Sequence, residues 1–495
     1  MKEPEASTTA PLPAGFRIAI DAGTKQLDEV TLFGGSPARV IRLSATGRTA
    51  WAELHDGVVS SAAAGVLARR LTDDGLAHPR PPVLAAAPDV TVIIPVRDRP
   101  EMLARCLASL GRAHPVLVVD DGSADPCAVA ETAARYGATL LRRPDSGGPG
   151  AARDTGLAHV SSDLVAFVDS DCVVPDSWIE QLAAHFADPL VAAVAPRIVA
   201  LQSMTTAGRY SAVCGSLDLG GSEGRVVPGT RVAYVPTAAL VARRDALLKV
   251  ARYGDVFDPG LRYGEDVDLV WRLHEADWRI RYDPAVEVCH HEPETWPALL
   301  GRRFRYGTSA APLAVRHPKA MAPLVLQPWP TLTVAALLAR RPASAAAGFT
   351  VSVLAMNRTL RQGGLPPTGV PGAMLTGVHQ TWLGIGRYAT QFAAPLLAVA
   401  LAAPGGSTPV QRWGRRAAAA SLLLGPPMAA WQARRPTLDP GRFSLGHIAD
   451  DLAYGAGVWA SCLRARTTKP IRPAVSWRPF RVAPRPAATP TTTPC

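Results

Sequence analysis

The sequence predicts an α/β fold for its central part, between a small amino-terminal unit and an apolar helical carboxyl-terminal region. Two short apolar runs, residues 91–96 and 116–119, are rich in β-branched side chains and stop abruptly at polar residues, as buried parallel strands do. Apolar residues at helical spacing follow each run, over residues 100–110 and 128–136. This alternation predicts the β-α-β-α half of a nucleotide-binding sheet.

A third apolar run, residues 164–168, ends in the tripeptide Asp169-Ser170-Asp171. Ligands of open α/β sheets bind at the carboxyl ends of the strands, so we expect these carboxylates at the ligand-binding edge. Two carboxylates one residue apart can share a hard divalent cation that also contacts substrate phosphates. Asp-Ser-Asp also ends strands in ordinary turns, so the metal assignment depends on the neighbouring motifs.

Four acidic motifs occur in a fixed order along this central part: VTVIIPVRDRPE, VLVVDDGSAD, VAFVDSDCVVPDSW and YGEDVDLVWRL. Together they resemble the family 2 glycosyltransferases of the GT-A fold, over roughly residues 88–310. The resemblance implies an α/β nucleotide-sugar-binding domain, placed at residues 89–310, and a sugar-nucleotide donor. It also implies a divalent cation, Mg²⁺ or Mn²⁺.

The resemblance assigns the donor-binding residues. In this family the carboxylate of the VDDGS segment contacts the nucleoside, which implies Asp121, with Asp120 beside it. The segment GGPGAARDTG, residues 147–156, matches the glycine-rich stretch before a helix, where Arg153 would lie near the diphosphate. A flexible turn with a solvated arginine is the alternative. Family members usually carry Asn in place of Asp154, so the role of that residue stays open. The full predicted donor-binding set is Pro95, Asp98, Asp120, Asp121, Arg153 and Asp169.

The fourth motif supplies the predicted catalytic residues. Gly264-Glu265-Asp266 precedes apolar residues at helical spacing and resembles the ED motif of the family, in which the Asp is the catalytic base. Transfer with inversion needs one carboxylate to deprotonate the acceptor while a metal and cations stabilise the departing diphosphate. We therefore assign Asp266 as the base, with Glu265 beside it, and Asp171 as a metal ligand. Acidic residues in the first turn of a helix also stabilise its dipole, which alone explains most such pairs.

Two further segments extend the predicted site. His290 follows the apolar run 285–289, and family members often place a histidine there near the metal, although such residues are more often packed as partly buried polar groups. Arg302, Arg305 and Tyr306 resemble the Gln/Arg-x-x-Arg-Trp motif of processive members, with Tyr306 in place of Trp. The ring would stack on the acceptor sugar and the arginines would meet phosphate. A basic helix near a membrane is the competing account.

Residues 16–78 form a separate predicted unit, and a Pro/Ala-rich linker at 79–88 joins it to the catalytic domain. Its pattern is two short strands around a turn, a helix capped by Ser44 or Thr46, and a second helix over about residues 58–72. This pattern resembles the winged-helix-like units of the PqqD family, which bind peptide by adding it as a strand to a sheet edge. A packing module without a ligand is the alternative.

The two units in one chain resemble the glycosyltransferases of the mycofactocin system. That resemblance implies UDP-glucose as donor, β-1,4-linked glucose chains as product, and a peptide-derived precursor of a redox cofactor as acceptor. A membrane-bound polysaccharide or lipid glycosyltransferase of family 2, with the amino-terminal unit as a scaffold, is the alternative. A peptide-binding protein with an inactive transferase domain is disfavoured, because Asp121, Asp171 and Asp266 are all present.

Composition excludes some partners. The formal charge is +11, yet the basic residues are scattered, without zinc-finger spacing or an aromatic-basic RNA motif, so we expect no nucleic-acid partner. Phosphate-bearing donors and an anionic membrane surface fit the charge better. The seven cysteines form no C-x-x-C pair and the amino terminus lacks an apolar signal core. Both observations predict reduced thiols and a catalytic domain on the cytoplasmic side of the cell membrane.

Residues 311–466 are predicted to be an apolar, helical, membrane-associated region. Uncharged runs cover 320–339, 342–357, 388–411 and 417–433, and a spanning helix needs about twenty apolar residues. The first run is long enough, so we expect between about one and three spans, with buried or interfacial helices as the alternative. The tail, residues 467–495, is rich in Pro, Arg and Thr and is predicted to be disordered.

Overall fold

A computed structural model describes residues 10–84, 86–320, 323–404, 408–476 and 481–482. The amino-terminal unit pairs its first and last strands, β1 and β5, in an antiparallel ladder. Its elements are β1 Arg17–Ile20, β2 Lys25–Asp28, β3 Thr31–Gly34, β4 Arg39–Arg42, α1 Ala45–Asp56, α2 Ala62–Asp73 and β5 Ala77–Arg80. The predicted hairpin is β3 with β4. The winged-helix assignment itself stays a prediction.

The predicted cap of the first helix is confirmed, because the Ser44 hydroxyl accepts a hydrogen bond from the N–H of Gly47. Two predicted boundaries are wrong. The second helix begins at Ala62 rather than near residue 58, since the Ser60 and Ser61 hydroxyls are both held by the carboxylate of Glu53. The linker predicted at 79–88 begins later, because residues 79 and 80 still belong to β5.

The central domain confirms the predicted α/β alternation. Its elements are β6 Val90–Val96, α3 Pro100–Leu110, β7 Val116–Asp121, α4 Pro126–Tyr136, β8 Thr139–Arg143, α5 Pro149–Ala158, β9 Leu164–Val168, β10 Cys172–Val173, α6 Trp178–Ala183, a 3-10 turn at Ala184–Ala187, β11 Val191–Ala200, α7 Thr206–Cys214, β12 Gly224–Arg225, β13 Ala239–Arg243, α8 Arg244–Lys249, α9 Glu265–Glu275 and β14 Arg279–His290.

These strands form one mixed sheet with the order β8-β7-β6-β9-β13-β11-β14-β10, and β12 pairs with β14. Strands β6 to β9 run parallel, so their carboxyl ends meet at one edge. The sheet is buried on both faces: Ile93 contributes to one hydrophobic core and Ile94 to the other. The motif carboxylates that end β7 and follow β9 therefore come to the same edge.

Buried ion pairs attach the amino-terminal unit to the central domain. Arg69 of α2 donates two hydrogen bonds to Asp188, at 2.7 and 2.8 Å, and both side chains are buried. Asp73 lies 2.8 Å from Arg279 and 3.2 Å from Arg225. Leaving one partner of such a pair unmatched costs roughly 3–5 kcal/mol. The unit is therefore an integral part of the fold.

The carboxyl-terminal region is helical, as predicted. Its elements are α10 Trp296–Gly307, α11 Ala310–Arg316, β15 Val325–Leu326, α12 Pro328–Leu338, α13 Pro342–Gln362, α14 Val370–Phe392, α15 Ala394–Ala402, α16 Pro409–Arg434, α17 Pro440–Arg464, a 3-10 turn at Lys469–Ile471, β16 Ala474–Val475 and β17 Arg481–Val482.

The run 320–339 is not one membrane-length helix, contrary to prediction. It is helical only over α12, because β15 pairs with β16 just before it and Pro328 starts the helix. Within the described ranges no single helix combines the length and apolarity needed to cross a bilayer; α14 and α15 together have both, but they meet at a bend of 99°.

Disorder is the wrong prediction for the first part of the tail. The Tyr388 hydroxyl donates to the carbonyl of Ile471 at 2.6 Å, and β16 pairs with β15 in parallel. Strand β17 pairs in parallel with β4, which extends the amino-terminal sheet to the order β17-β4-β3-β2. The other tail residues lie outside the described part of the chain.

Candidate active site

A cleft of about 1300 Å³ opens at the carboxyl ends of β6, β7 and β9, and residues of α10, α14 and α17 also line it. It gathers most of the residues predicted from the sequence, namely Pro95, Asp98, Asp121, Arg153, Asp169, Asp171, Glu265, Asp266, His290 and Tyr306. Asp120, Arg302 and Arg305 lie outside its lining.

Arg153 of α5 is the buried cation of the site. Its Nη2 donates to Asp169 Oδ1 at 2.6 Å, its Nη1 lies 3.4 Å from Glu265 Oε1, and its guanidinium stacks 5.5 Å above the Phe257 ring. Burial lowers the pKa of Arg153, but the surrounding carboxylates outweigh burial and raise it. The residue is only 2% exposed, so a buried charge joins the end of β9 to the start of α9.

Glu265 and Asp266 are the first two residues of α9, after Gly264, whose φ of 81° favours glycine. Burial, followed by the charge of Asp266, raises the pKa of Glu265 to about 7 even though Arg153 opposes the shift. Burial also raises the pKa of Asp266, against the N–H of Val267 that donates to its Oδ1 at 2.8 Å. A half-buried carboxylate with a raised pKa, facing a cleft, is suited to accept a proton.

Asp171 and His290 lie side by side because β10 pairs with the end of β14, which places Cys172 opposite His290. The His290 Nε2 is 3.4 Å from Asp171 Oδ1, and Arg99 donates to Asp171 Oδ2 at 2.9 Å. Burial alone would raise the pKa of Asp171, but the hydrogen bond and charge of His290, with Arg99, lower it to about 2. The carboxylate is therefore ionised at neutral pH.

The donor set around Asp171 fits a divalent cation that keeps other oxygen ligands. Glu292 Oε1 lies 3.1 Å from His290 Nδ1, which leaves Nε2 as the ring nitrogen facing Asp171. Arg302, predicted to meet phosphate, forms an ion pair with Glu292 and so supports this histidine. In the described part of the chain no cluster of three or more His, Cys, Asp or Glu side chains could enclose a metal. A cation here would need oxygens from water or a diphosphate.

The carboxylates that end β7 hold loops. Asp121 accepts hydrogen bonds from the N–H groups of Gly147 and Gly148 at 3.0 and 2.7 Å, so it fixes the glycine-rich segment before α5. The φ of 91° at Gly148 favours glycine there. Asp120, predicted to lie at the nucleoside, is fully buried and binds the Ser123 N–H and Arg142. It supports the turn rather than lining the cleft.

Asp154, whose role the sequence left open, supports the loop that carries Phe257. Its carboxylate accepts from the N–H of Val256 at 3.1 Å and of Phe257 at 3.0 Å. An Asn amide could not accept from both groups through both of its side-chain termini. Burial raises the pKa of Asp154 to about 6. Asp154 therefore acts on the site indirectly, through the ring beneath Arg153.

Sequence reasoning missed the cleft residues of the carboxyl-terminal helices. Arg303, rather than Arg302 or the exposed Arg305, lines the cleft from α10. Helices α14 and α17 add a further set of polar residues, namely Arg387, Gln391, Asp450, Asp451 and Tyr454. One signal was available in the sequence: Asp450 and Asp451 are adjacent acidic residues inside an otherwise apolar run.

Comparison with known proteins agrees with this geometry. The model of glycosyl transferase family 2 matches residues 91–250. Pre-mycofactocin glycosyltransferase of Mycobacterium tuberculosis is 38% identical over 485 residues, which cover 94% of this chain and 99% of that protein. Succinoglycan biosynthesis protein ExoU of Rhizobium meliloti is 32% identical over 200 residues, covering 38% of this chain and 58% of that protein.

Among solved structures, the mannosyltransferase PcManGT of Pyrobaculum calidifontis in complex with GDP-Man and Mn²⁺ is similar at a TM-score of 0.43 and 18% identity. The similarity covers 76% of this chain and 88% of that chain.

The Glu265→Gln substitution tests the charge cluster through the pH dependence of stability. The pKa of Glu265 is about 7 in the folded protein and has the ordinary value of 4.5 in the unfolded chain. Protonated Glu265 therefore stabilises the fold fully below pH 4.5, and this contribution is lost as the pH rises through about 7. We expect the unfolding temperature of the variant, relative to wild type, to rise between about pH 5 and about pH 8.

The matched control is Glu53→Gln. Hydrogen bonds from Ser61 and Ser60 lower the pKa of Glu53 to about 2. The difference in unfolding temperature between Glu53→Gln and wild type should therefore stay constant over the same pH range. A flat difference for Glu265→Gln as well would contradict the raised pKa.

Proposed function

Because the chain belongs to glycosyl transferase family 2 and is homologous over nearly its whole length to a pre-mycofactocin glycosyltransferase, we propose that it is an inverting, metal-dependent glucosyltransferase. The proposed donor is UDP-glucose. The proposed acceptor is a peptide-derived precursor of a redox cofactor of the mycofactocin type, on which the enzyme builds a β-1,4-linked glucose chain. The observation that carries the proposal is the pair of contacts that Arg153 makes with Asp169 and Glu265. They hold Asp169 and the Glu265-Asp266 pair at one cleft.

In the proposed reaction Asp266 takes the proton from the acceptor hydroxyl as that oxygen forms a bond to the anomeric carbon of glucose. The bond between this carbon and the diphosphate oxygen breaks, and its electron pair leaves with UDP. Attack from the face opposite the leaving group inverts the anomeric configuration. The raised pKa of Asp266 makes its carboxylate a stronger proton acceptor than an exposed aspartate.

Cationic groups stabilise the departing diphosphate in this proposal. Asp171 and His290 would hold a Mg²⁺ or Mn²⁺ ion, which when bound supplies a Lewis acid for the phosphate oxygens. Asp169, bound to Arg153, lines the same cleft as the proposed metal ligand and the proposed base. Arg99, 2.9 Å from Asp171, adds positive charge at the same edge.

The alternative is a polysaccharide or lipid glycosyltransferase of family 2. The similarity to a succinoglycan biosynthesis protein supports this alternative. The two proposals differ in the acceptor. With labelled UDP-glucose as donor, label transferred to a peptide-derived precursor supports the first, and label transferred only to a polyprenyl phosphate supports the second.

We also propose that the protein attaches to the cytoplasmic surface of the cell membrane. Helices α12, α14 and α16 form an apolar groove of about 800 Å³ that includes Leu337, Trp382 and Trp413, with Arg340 at its edge. Residues 328–434 contain nine arginines and neither Asp nor Glu. Each basic residue near an anionic bilayer contributes about 1 kcal/mol, so an apolar groove in a region that carries arginines and no carboxylates suits an anionic lipid surface.

Membrane attachment predicts that the protein sediments with phosphatidylglycerol vesicles and much less with phosphatidylcholine vesicles. Trp413→Glu should weaken sedimentation severalfold, because Trp413 is 71% exposed in the groove. The control is Val83→Glu, since Val83 is 94% exposed but lies far along the chain from these helices. Wild-type protein that stays in the supernatant with anionic vesicles would rule out the attachment.

Asp266→Asn tests the base. We expect turnover to fall by about three orders of magnitude or more while UDP affinity stays nearly unchanged, because the base acts on the acceptor. Single-turnover kinetics and calorimetric titration with UDP measure the two effects. The control is Asp245→Asn in the exposed pair with Lys249, which should keep full turnover. If Asp266→Asn remains active, the base lies elsewhere, and Glu265 is the next candidate.

Asp171→Asn tests the metal site. Turnover by the wild type should vanish in excess chelator and return with Mn²⁺ or Mg²⁺. The variant should have lost nearly all turnover even with the metal present. UDP titration provides a second measurement: wild type should bind UDP more tightly with Mn²⁺ than without, and the variant should not. Asp176→Asn is the control, since Asp176 is exposed and lies just beyond β10. Full turnover of the wild type in excess chelator is the result that removes the metal from the proposal.

A further inference from the structure

The cleft is larger than donor binding requires, and its additional lining comes from the carboxyl-terminal helices. Small-molecule sites are typically about 300–1,000 Å³, whereas this cleft is about 1300 Å³. Six of the nine tyrosines in the chain line it: Tyr210, Tyr234, Tyr263, Tyr306, Tyr388 and Tyr454. We call the part formed by Arg387, Gln391, Asp450, Asp451 and Tyr454 the helical wall.

Asp451 of α17 is the ionised acceptor of the helical wall. Its Oδ1 accepts from Arg387 Nε at 3.1 Å and from Gln391 Nε2 at 2.7 Å, and its Oδ2 lies 3.4 Å from His447. Burial raises the pKa of Asp451, but His447 and Arg387 outweigh burial and lower it. A negative carboxylate, an amide and a guanidinium thus lie together on the cleft surface.

Asp450, beside it, is held by different partners. Its Oδ2 accepts from the Tyr210 hydroxyl at 3.0 Å, and Arg303 Nε lies 2.5 Å from its Oδ1. Burial raises the pKa of Asp450 in spite of Arg303. This second set connects α7, α10 and α17, so it fixes the helical wall against the catalytic domain.

The exposure of Arg387 indicates that the helical wall is a ligand surface rather than a contact between packed helices. Its side chain is 60% exposed, whereas the Asp451 carboxylate that anchors it is 5% exposed. The anchored guanidinium is therefore available from the cleft and held in one orientation, which reduces the entropy lost when a ligand binds. Gln391 is positioned by the same carboxylate.

We propose that the helical wall binds the sugar chain of a glycosylated acceptor, through Arg387, Gln391 and the partly exposed tyrosine rings of the cleft, which do not include the buried Tyr210. This inference rests on the proposed function and adds the location of the site that holds the growing sugar chain. Sugar hydroxyls both donate and accept hydrogen bonds. The exposed guanidinium of Arg387 offers donors, and the amide of Gln391 carries both a donor and an acceptor group. The rings supply apolar faces with a polar end, which match the apolar faces and hydroxyl edges of a pyranose.

The amino-terminal unit lies outside this surface. Of the described residues that line the cleft, none comes from residues 10–84. Recognition of the sugar chain is therefore assigned to the carboxyl-terminal helices. Any contact of the acceptor with the amino-terminal unit would be at a separate place.

The test uses the full chain, UDP-glucose and the cello-oligosaccharide series from cellobiose to cellohexaose as acceptor probes. In Arg387→Gln and Gln391→Ala we expect the acceptor KM for cellotetraose to rise about tenfold with kcat nearly unchanged. Each substitution removes one hydrogen bond between the sugar and the helical wall. UDP affinity should stay at the wild-type value. Thr376→Ala, an exposed residue of α14 outside the cleft, is the matched control.

Each outcome has one consequence. A raised acceptor KM in both variants, with normal UDP affinity and a normal control, supports the helical wall. Wild-type transfer to cellotetraose with unchanged KM in both variants overturns it, and so does transfer by the wild type to a peptide-derived precursor but to no oligosaccharide. Absence of UDP release with every acceptor overturns the proposed function instead, and this inference with it.

Discussion

The buried guanidinium of Arg153 holds the two halves of the candidate site together. It binds Asp169, which follows β9, and it lies beside Glu265 at the start of α9. Without this cation, Asp169, Glu265 and Asp266 would be like charges lining one cleft, and removing one partner from a buried pair costs roughly 3–5 kcal/mol. The glycine-rich loop held by Asp121 and the Phe257 loop held by Asp154 both serve to place this one side chain.

The three parts of the chain meet around this arrangement. The amino-terminal unit is attached by the buried pair of Arg69 with Asp188 and by the partly buried pair of Asp73 with Arg279, so it contributes to the fold without any ligand. The carboxyl-terminal helices complete the cleft, and the ion pair of Arg303 with Asp450 connects them to the catalytic domain. The donor side of the cleft comes from the sheet edge and its remaining side from these helices.

The sequence predicted the elements whose signals are local. Residues 100–110 and 164–168 coincide with α3 and β9, because apolar periodicity and strand-ending polar residues depend only on near neighbours. The motifs at Asp121 and at Asp169 were also visible, since each lies at the end of a predicted strand, whereas Glu265 and Asp266 were assigned from the family resemblance. For the helical wall the sequence offered only the adjacent Asp450 and Asp451. Its position at the cleft was not predictable, because contacts such as that of Asp450 with Arg303 join residues far apart in sequence. The prediction of one long helix over residues 320–339 failed for a related reason. The pairing of β15 with β16 joins residues that are far apart in sequence, so no local pattern shows it.

The stereochemistry of transfer tests the central claim most directly. One carboxylate acting as a base in a single displacement inverts the anomeric carbon, so UDP-α-glucose should give a β-glucoside. Proton NMR of the first product, recorded before further chain growth, reads the anomeric configuration from the coupling of the anomeric proton. A β-glucoside is the result this account predicts. An α-glucoside would contradict it, because retention requires a different arrangement of nucleophile and base from the one assigned to Asp266 and its neighbours.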